Sequence, residues 1–226
     1  MTVLEQRPAY RRHLPHWIPS GKAIFLTWNL KGSLPRHARE ALQSERRRLE
    51  NEPSKKGESQ NARYLRHQKI LFALTERYLD GAMDGPVHLT DAHAARIVVD
   101  SILFGVPRRY DLFAFVVMPN HVHVLLLPHL PLEKITQGIK GFTSRAINLL
   151  QGQQGRALWL DESFDHWVRN QDEFLRIIGY IELNPVKAGF CKTPEHWASS
   201  SASWRLRYSW EPGESFRPEW KPVERK

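Results

Sequence analysis

Two runs of consecutive apolar residues dominate the middle of the chain, Tyr110–Val117 and His121–Leu127, with only Met118-Pro119-Asn120 between them. Runs of that length fit buried strands, and so short a link predicts an antiparallel hairpin with a tight turn. Ile24–Leu30 is rich in β-branched and aromatic residues and stops before Gly32, which predicts another strand. Elsewhere the spacing is helical. Leu65, Ile70, Leu71, Leu74, Tyr78 and Leu79 form a stripe over 63–79, and Leu132–Leu150 is apolar on one side and polar on the other. Glu173–Asn184 also reads as helix, with Pro185 limiting its continuation. Thr90 is the expected N-cap of a helix through Ala92–Leu103, and Trp159-Leu160 is placed to begin a short strand.

Residues 33–80 interrupt this order. Arg36–Glu50 is helix-forming and heavily charged, and 51–61 is a polar loop leading into the stripe at 63–79. Together they read as a charged helical hairpin inserted into a domain spanning 23–205. Residues 1–22 mix Arg, His, Pro and aromatics without a period and read as a basic extended arm. Residues 206–226 read as a basic, Pro-punctuated tail.

Charge narrows the class of partner. Thirty-three Lys and Arg against 24 Asp and Glu give +9, a field that favours polyanions, of which nucleic acid is the commonest. The single cysteine, Cys191, has no internal disulfide partner and no CxxC companion, so a reducing compartment and a small buried role are expected. No run approaches the ~18 apolar residues of a membrane helix, and 1–22 lacks the apolar core of a signal peptide. A soluble, cytoplasmic protein with no membrane association is the expectation.

Two clusters carry candidate chemistry. His121 and His123 are two residues apart in a strand, so both imidazoles leave the same face and can share one divalent metal. A pair of structural histidines is the alternative, although an otherwise apolar strand must then find them polar partners. Tyr180 and Asn184 are four apart on a helix and emerge together. The Asn184 amide oxygen suits a hard cation, Mg²⁺ or Mn²⁺, and the Tyr180 phenol beside it can attack a phosphorus held there. Here too a core tyrosine and a helix-end asparagine are alternatives.

Taken together the clusters resemble a known family. Val116-Val117-Met118-Pro119-Asn120-His121-Val122-His123-Val124-Leu125 resembles the HUH motif (His, hydrophobe, His) of single-strand-specific tyrosine transposases. Gly179-Tyr180-Ile181-Glu182-Leu183-Asn184-Pro185-Val186-Lys187-Ala188-Gly189 is similar to the YIxxNPVRAG signature of REP-associated tyrosine transposases, with Lys187 where Arg is common. Arg12–Trp17 and Ser163–Arg169 resemble further segments of that group, and the likeness covers about 22–30 and 86–205.

The resemblance implies an α+β fold: a ferredoxin-like sandwich whose central antiparallel sheet carries the HUH strand, with helices on one face and the hairpin 33–80 added. It implies His121, His123 and Asn184 as metal ligands and Tyr180 as nucleophile of a transposase that cuts and rejoins single-stranded or hairpin DNA through a 5′-phosphotyrosine. Arg11, Arg12, Lys22, Lys140 and Arg145 are candidate DNA contacts, with Trp17 as a stacking platform. Within this reading the insertion touches none of the catalytic set. A homodimer and a monomer both fit one nucleophile per chain. The competing readings are a domesticated or non-catalytic module of the same fold that binds repetitive palindromes, and a zinc hydrolase, for which no carboxylate partner of the HxH pair is evident at a recognised spacing.

Overall fold

The computed structural model describes residues 11–12, 14–15, 21–81 and 85–217. Two short strands, β1 (Arg11–Arg12) and β2 (Leu14–Pro15), pair antiparallel where an extended arm was expected. The main sheet is built around the predicted hairpin. β3 (Ile24–Asn29), β4 (Tyr110–Val117), β5 (His121–Pro128) and β6 (Phe164–Trp167) lie in the order β4-β5-β3-β6, every neighbour antiparallel. The Met118 N–H donates to the His121 carbonyl at 2.9 Å and closes the turn. β3 and β4 flank β5 and are joined by a helical crossover, so the sandwich is the expected ferredoxin-like one with the HxH strand inside the sheet.

Alternation along the strands sorts the core into two clusters. On one face Leu26, Trp28, Val122, Val124 and Leu126 meet α3 (Ala92–Phe104) through Val98 and Ile102, and α4 (Leu132–Leu150) through Ile135 and Ile139. On the other face Phe25, Ala114, Val116 and Leu125 meet α5 (Gln171–Lys187) through Ile178 and Ile181. The helices thus cover both faces rather than the one expected, because the interior strands are apolar on both sides and each side must be sealed.

The insertion is the helical hairpin anticipated, α1 (Arg36–Asn51) and α2 (Gln60–Gly81). Its hinge is polar. Arg66 pairs with Glu52 and Glu58, each at 2.9 Å, and the Arg63 guanidinium donates to the carbonyls of Leu49, Glu50 and Glu52 at the end of α1. Phe72 of α2 packs with the second cluster, stacked on Phe164 at 4.3 Å and edge-on to Phe25 at 5.3 Å. The hairpin is therefore seated on the same face as α5.

Several local expectations change. Asp91, not Thr90, caps α3, its carboxylate accepting from the His93 and Ala94 N–H groups, while Thr90 ends a 3₁₀ turn, His88–Thr90. α5 continues through Pro185 to Lys187. Its stop signal is Gly189 at φ +77°, where the Phe190 N–H bonds the Pro185 carbonyl and the Gly189 N–H that of Val186, a left-handed cap. Trp159 makes only an isolated bridge to Leu30. β6 and the C-terminal helix α6 (Ser201–Tyr208) had no clear period, and Trp210 and Phe216, expected in the tail, are buried in the first core cluster. Cys191 is half-buried rather than buried. No helix among the described residues is long and apolar enough to cross a membrane.

Candidate active site and metal centre

His121 and His123 project from β5 toward α5, both essentially inaccessible to solvent, with ring centroids 4.7 Å apart. Each ring is held through Nδ1. Asn120 Oδ1 is 2.6 Å from His121 Nδ1, and Thr27 Oγ1 on the paired strand is 2.7 Å from His123 Nδ1. The Asn120 oxygen can only accept, so His121 carries its proton on Nδ1 and presents Nε2 as a bare lone pair, the tautomer a metal requires; the Thr27 hydroxyl can donate or accept and fixes no tautomer for His123. Burial, and then the neighbouring His123, push the His121 imidazole down to about 3, so it is neutral at ordinary pH. Its Nε2 is buried without a hydrogen-bond partner.

α5 brings the second motif to this point. Tyr180 and Asn184 lie on the face turned to β5, and Asn184 Nδ2 is 3.4 Å from His123 Nε2. The amide oxygen of Asn184, 1% exposed as a residue, has no hydrogen-bond partner. The half-buried Tyr180 ring packs against His123 at 5.6 Å and Phe25 at 5.9 Å, and Lys187 Nζ is 4.9 Å from its centroid. The four residues expected to form the site do converge.

The insertion adds a fifth, against expectation. Glu76 of α2 is buried, its Oε2 lies 3.0 Å from His123 Nε2, and it accepts a hydrogen bond from the Tyr180 hydroxyl. Donor atoms of Glu76, His121 and His123 all fall within 4.8 Å of one another. Burial opposes charge on Glu76, but the His123 ring 3.0 Å away and the donating Tyr180 hydroxyl outweigh it and hold the carboxyl down to about 2. Burial, and then the Glu76 charge, push the Tyr180 phenol well above its ordinary range. Burial and Glu76 also raise Asp80, one turn further on, to about 6.

The residues present fit a divalent cation. His121 Nε2, Asn184 Oδ1 and Glu76 Oε1 are three buried polar atoms without hydrogen-bond partners in one small region, which is costly unless another group satisfies them. Two imidazoles with amide and carboxylate oxygens form a donor set suited to Mn²⁺ or Mg²⁺.

Glu76 was legible only in part. It falls four residues after Phe72 and three before Leu79, an acid on the inward side of an apolar stripe, where a carboxylate must have a partner. Its partners lie 47 and 104 positions away, a relation no local pattern encodes.

The candidate DNA contacts are dispersed. Lys22 is exposed beside the start of β3. Arg145 is exposed on α4, the helix layer across the sheet from Tyr180. Lys140, in the same helix, donates to the carbonyls of Leu160, Asp161 and Glu162 and to Ser163 Oγ, ordering the loop before β6. Arg11 and Arg12 are described as backbone only, and Trp17 lies outside the described residues. His166 is 3.2 Å from Glu173, a structural contact of β6 with α5.

No family model matches the chain. A REP-associated tyrosine transposase of Escherichia coli (strain K12) is 26% identical over 98 residues, 42% of this chain and 55% of that protein, so the match spans about half of the relative. A solved structure described as a REP-associated tyrosine transposase bound to a REP hairpin aligns at TM-score 0.48 and 20% identity, covering 97% of this chain and 99% of that one. In sequence, the chain is similar to the REP-associated tyrosine transposases, the group its two motifs resemble.

Proposed function

We propose that the chain is a metal-dependent tyrosine transposase that cleaves and rejoins single-stranded DNA, most effectively beside a hairpin, through a 5′-phosphotyrosine on Tyr180. The observation that carries this reading is the convergence of a phenol, two tethered imidazoles and an unpartnered amide oxygen from β5 and α5 at one buried point. The curated relative's name supports it.

The chemistry follows from the side chains. A divalent cation held by His121, His123 and Asn184 supplies Lewis-acid polarisation of the scissile phosphate when bound. Tyr180 is a poor nucleophile at rest, because its proton is held by burial and by Glu76. As its oxygen bonds to phosphorus the phenol acidifies, and the proton leaves along the hydrogen bond to Glu76. One O–P bond forms and the P–O3′ bond breaks. The departing 3′ oxygen takes a proton from solvent and Glu76 gives the one it accepted back to solvent, so the carboxylate ends as it began. The phosphodiester count is conserved, and another 3′-OH can reverse the step without ATP. Lys187, beside the phenol, is placed to meet a phosphate oxygen.

The Glu76, His121 and His123 set also admits a water-activating hydrolase, since the carboxylate missing from the sequence pattern is now supplied. That reading leaves Tyr180 without a task. Incubation with labelled single-stranded hairpin DNA and Mg²⁺ or Mn²⁺, followed by denaturing electrophoresis and peptide mass spectrometry, separates the two. A nucleotide-modified peptide containing Tyr180 is expected. Cleavage with free 5′-phosphate and no adduct supports the hydrolase instead.

A further inference from the structure

We infer that Glu76, carried by the inserted helix α2, is a protein ligand of the divalent cation alongside His121 and His123, so that the insertion completes the metal centre. This rests on the metal-site reading above and adds a residue outside both motifs.

The placement of Glu76 is over-determined. One turn before it, Phe72 is locked among Phe25, Phe164 and Tyr180. Three residues after it Leu79 is buried, and its carbonyl accepts from the Asn120 side chain, the same asparagine that orients His121. The helix is thus pinned to the sheet on both sides of the carboxylate, and one pin is shared with a metal-binding histidine. Preorganisation of this kind is what a ligand needs.

The distances agree. Two donors bound at right angles to one ion at about 2.1 Å stand about 3.0 Å apart, and Glu76 Oε2 is 3.0 Å from His123 Nε2. His121 Nε2 and Glu76 Oε1 are both unpartnered, in residues 1% and 6% exposed. A carboxylate serving only as counter-ion to His123 leaves those two atoms unsatisfied; a cation taken by His121 Nε2 and by both carboxylate oxygens satisfies them. Oε2 is also the oxygen that accepts from Tyr180, and a carboxylate oxygen has a second lone pair for the ion, so the ion and the nucleophile are tied by a single side chain.

The test reads metal binding without DNA. Cys191 is first replaced by Ser, leaving no native thiol. In that background Glu76→Cys loaded with Co²⁺ should show a thiolate-to-cobalt charge-transfer band in the near ultraviolet, which appears only when sulfur binds the ion. Thr75→Cys, one residue away on the same helix, should not. In parallel, Mn²⁺ titration followed by loss of the free-ion EPR signal should give at least ~10-fold weaker binding for Glu76→Gln than for the parent, about 1.4 kcal/mol.

A folded Glu76→Cys without the band, together with Glu76→Gln within about twofold of the parent, overturns the inference and leaves the phosphotyrosine reading untouched. Should both variants fail to fold by circular dichroism, the parent decides. Mn²⁺ binding there no tighter than in His121→Ala removes the centre altogether. Binding lost in His121→Ala, with the Mn²⁺-bound parent retaining the Tyr180-to-Glu76 contact and carboxylate oxygen ligation by X-ray structure, sustains it.

Discussion

The two faces of β5 share one backbone, one register and the same near-complete burial, yet they have been put to opposite uses. Val122, Val124 and Leu126 face α3 and α4 in an apolar core, where the buried Tyr110 hydroxyl donates to the Ile102 carbonyl. His121 and His123, with Leu125 beside them, face α5 and α2, where Glu76, Asn184, Thr27 and Tyr180 gather. Hydrophobic burial on the first face stabilises the sheet. On the second, buried polar groups remain partly unsatisfied, a condition the fold tolerates only because the opposite face and the flanking apolar residues hold the strand in place. A period of two lets a single strand keep these roles apart.

Breaking the second face should abolish chemistry while sparing the fold. Tyr180→Phe keeps the ring and its packing against Phe25, Phe72 and His123, and removes the hydroxyl. The covalent adduct should vanish, while the thermal midpoint falls by no more than ~1 kcal/mol of lost hydrogen bonding allows. Undiminished cleavage by this variant, or an adduct mapped to another residue, rules out the assignment.

The insertion offers the next test, and the structure reverses the expectation drawn from the sequence. Distance along the chain made 33–80 look dispensable; Glu76 and Phe72 instead reach the site. Replacing Pro35–Asp80 with a Gly/Ser linker should eliminate the adduct even where circular dichroism shows retained structure. Full activity in the truncated chain shows that Glu76 has no part in the chemistry.

A substitution on the first face should do the converse. Leu126→Ala leaves a cavity between the sheet and its helices and should cost roughly 2–5 kcal/mol, read by chemical denaturation. The activity per folded molecule should be unchanged. A variant that keeps its stability but loses cleavage contradicts the division of labour between faces.

How much of this was legible in the sequence divides along similar lines. The apolar face was, because uninterrupted apolar runs report burial directly: β3, β4, β5, α4 and the order of the hairpin followed from them. His121, His123, Tyr180 and Asn184 were legible as pairs, since spacings of two and four fix a shared face within one element. What the sequence did not contain was the meeting of elements. Glu76 joins β5 only through the packing of Phe72, β6 is a four-residue strand without an apolar period, and Trp210 and Phe216 look like tail residues until their burial is seen. The stop of α5 was misread for a local reason. Pro185 removes one N–H but its φ suits a helix, whereas Gly189 alone accepts φ +77° cheaply.

The smallest expected effect lies at the rim of the second face, where Glu173 joins α5 to β6. Its carboxylate accepts from the Arg169 guanidinium and backbone N–H and lies 3.2 Å from His166. Burial raises this carboxyl, but those donors outweigh it and hold it down to about 2. Because the folded value is below the ~4.3 of an unfolded glutamate, its contribution is complete above that pH and is lost as pH falls toward 2. Glu173→Gln should therefore lower the melting temperature at pH 7 and progressively less below about pH 4.5. The pair is partly solvated, so the neutral-pH effect should be about 1 kcal/mol, or ~2–4 °C for a chain of this size. A gap that stays constant between pH 7 and pH 3, or widens on acidification, shows that the side chain acts through packing rather than charge. The anchoring of the tyrosine helix would then be apolar on its rim as well as in its core.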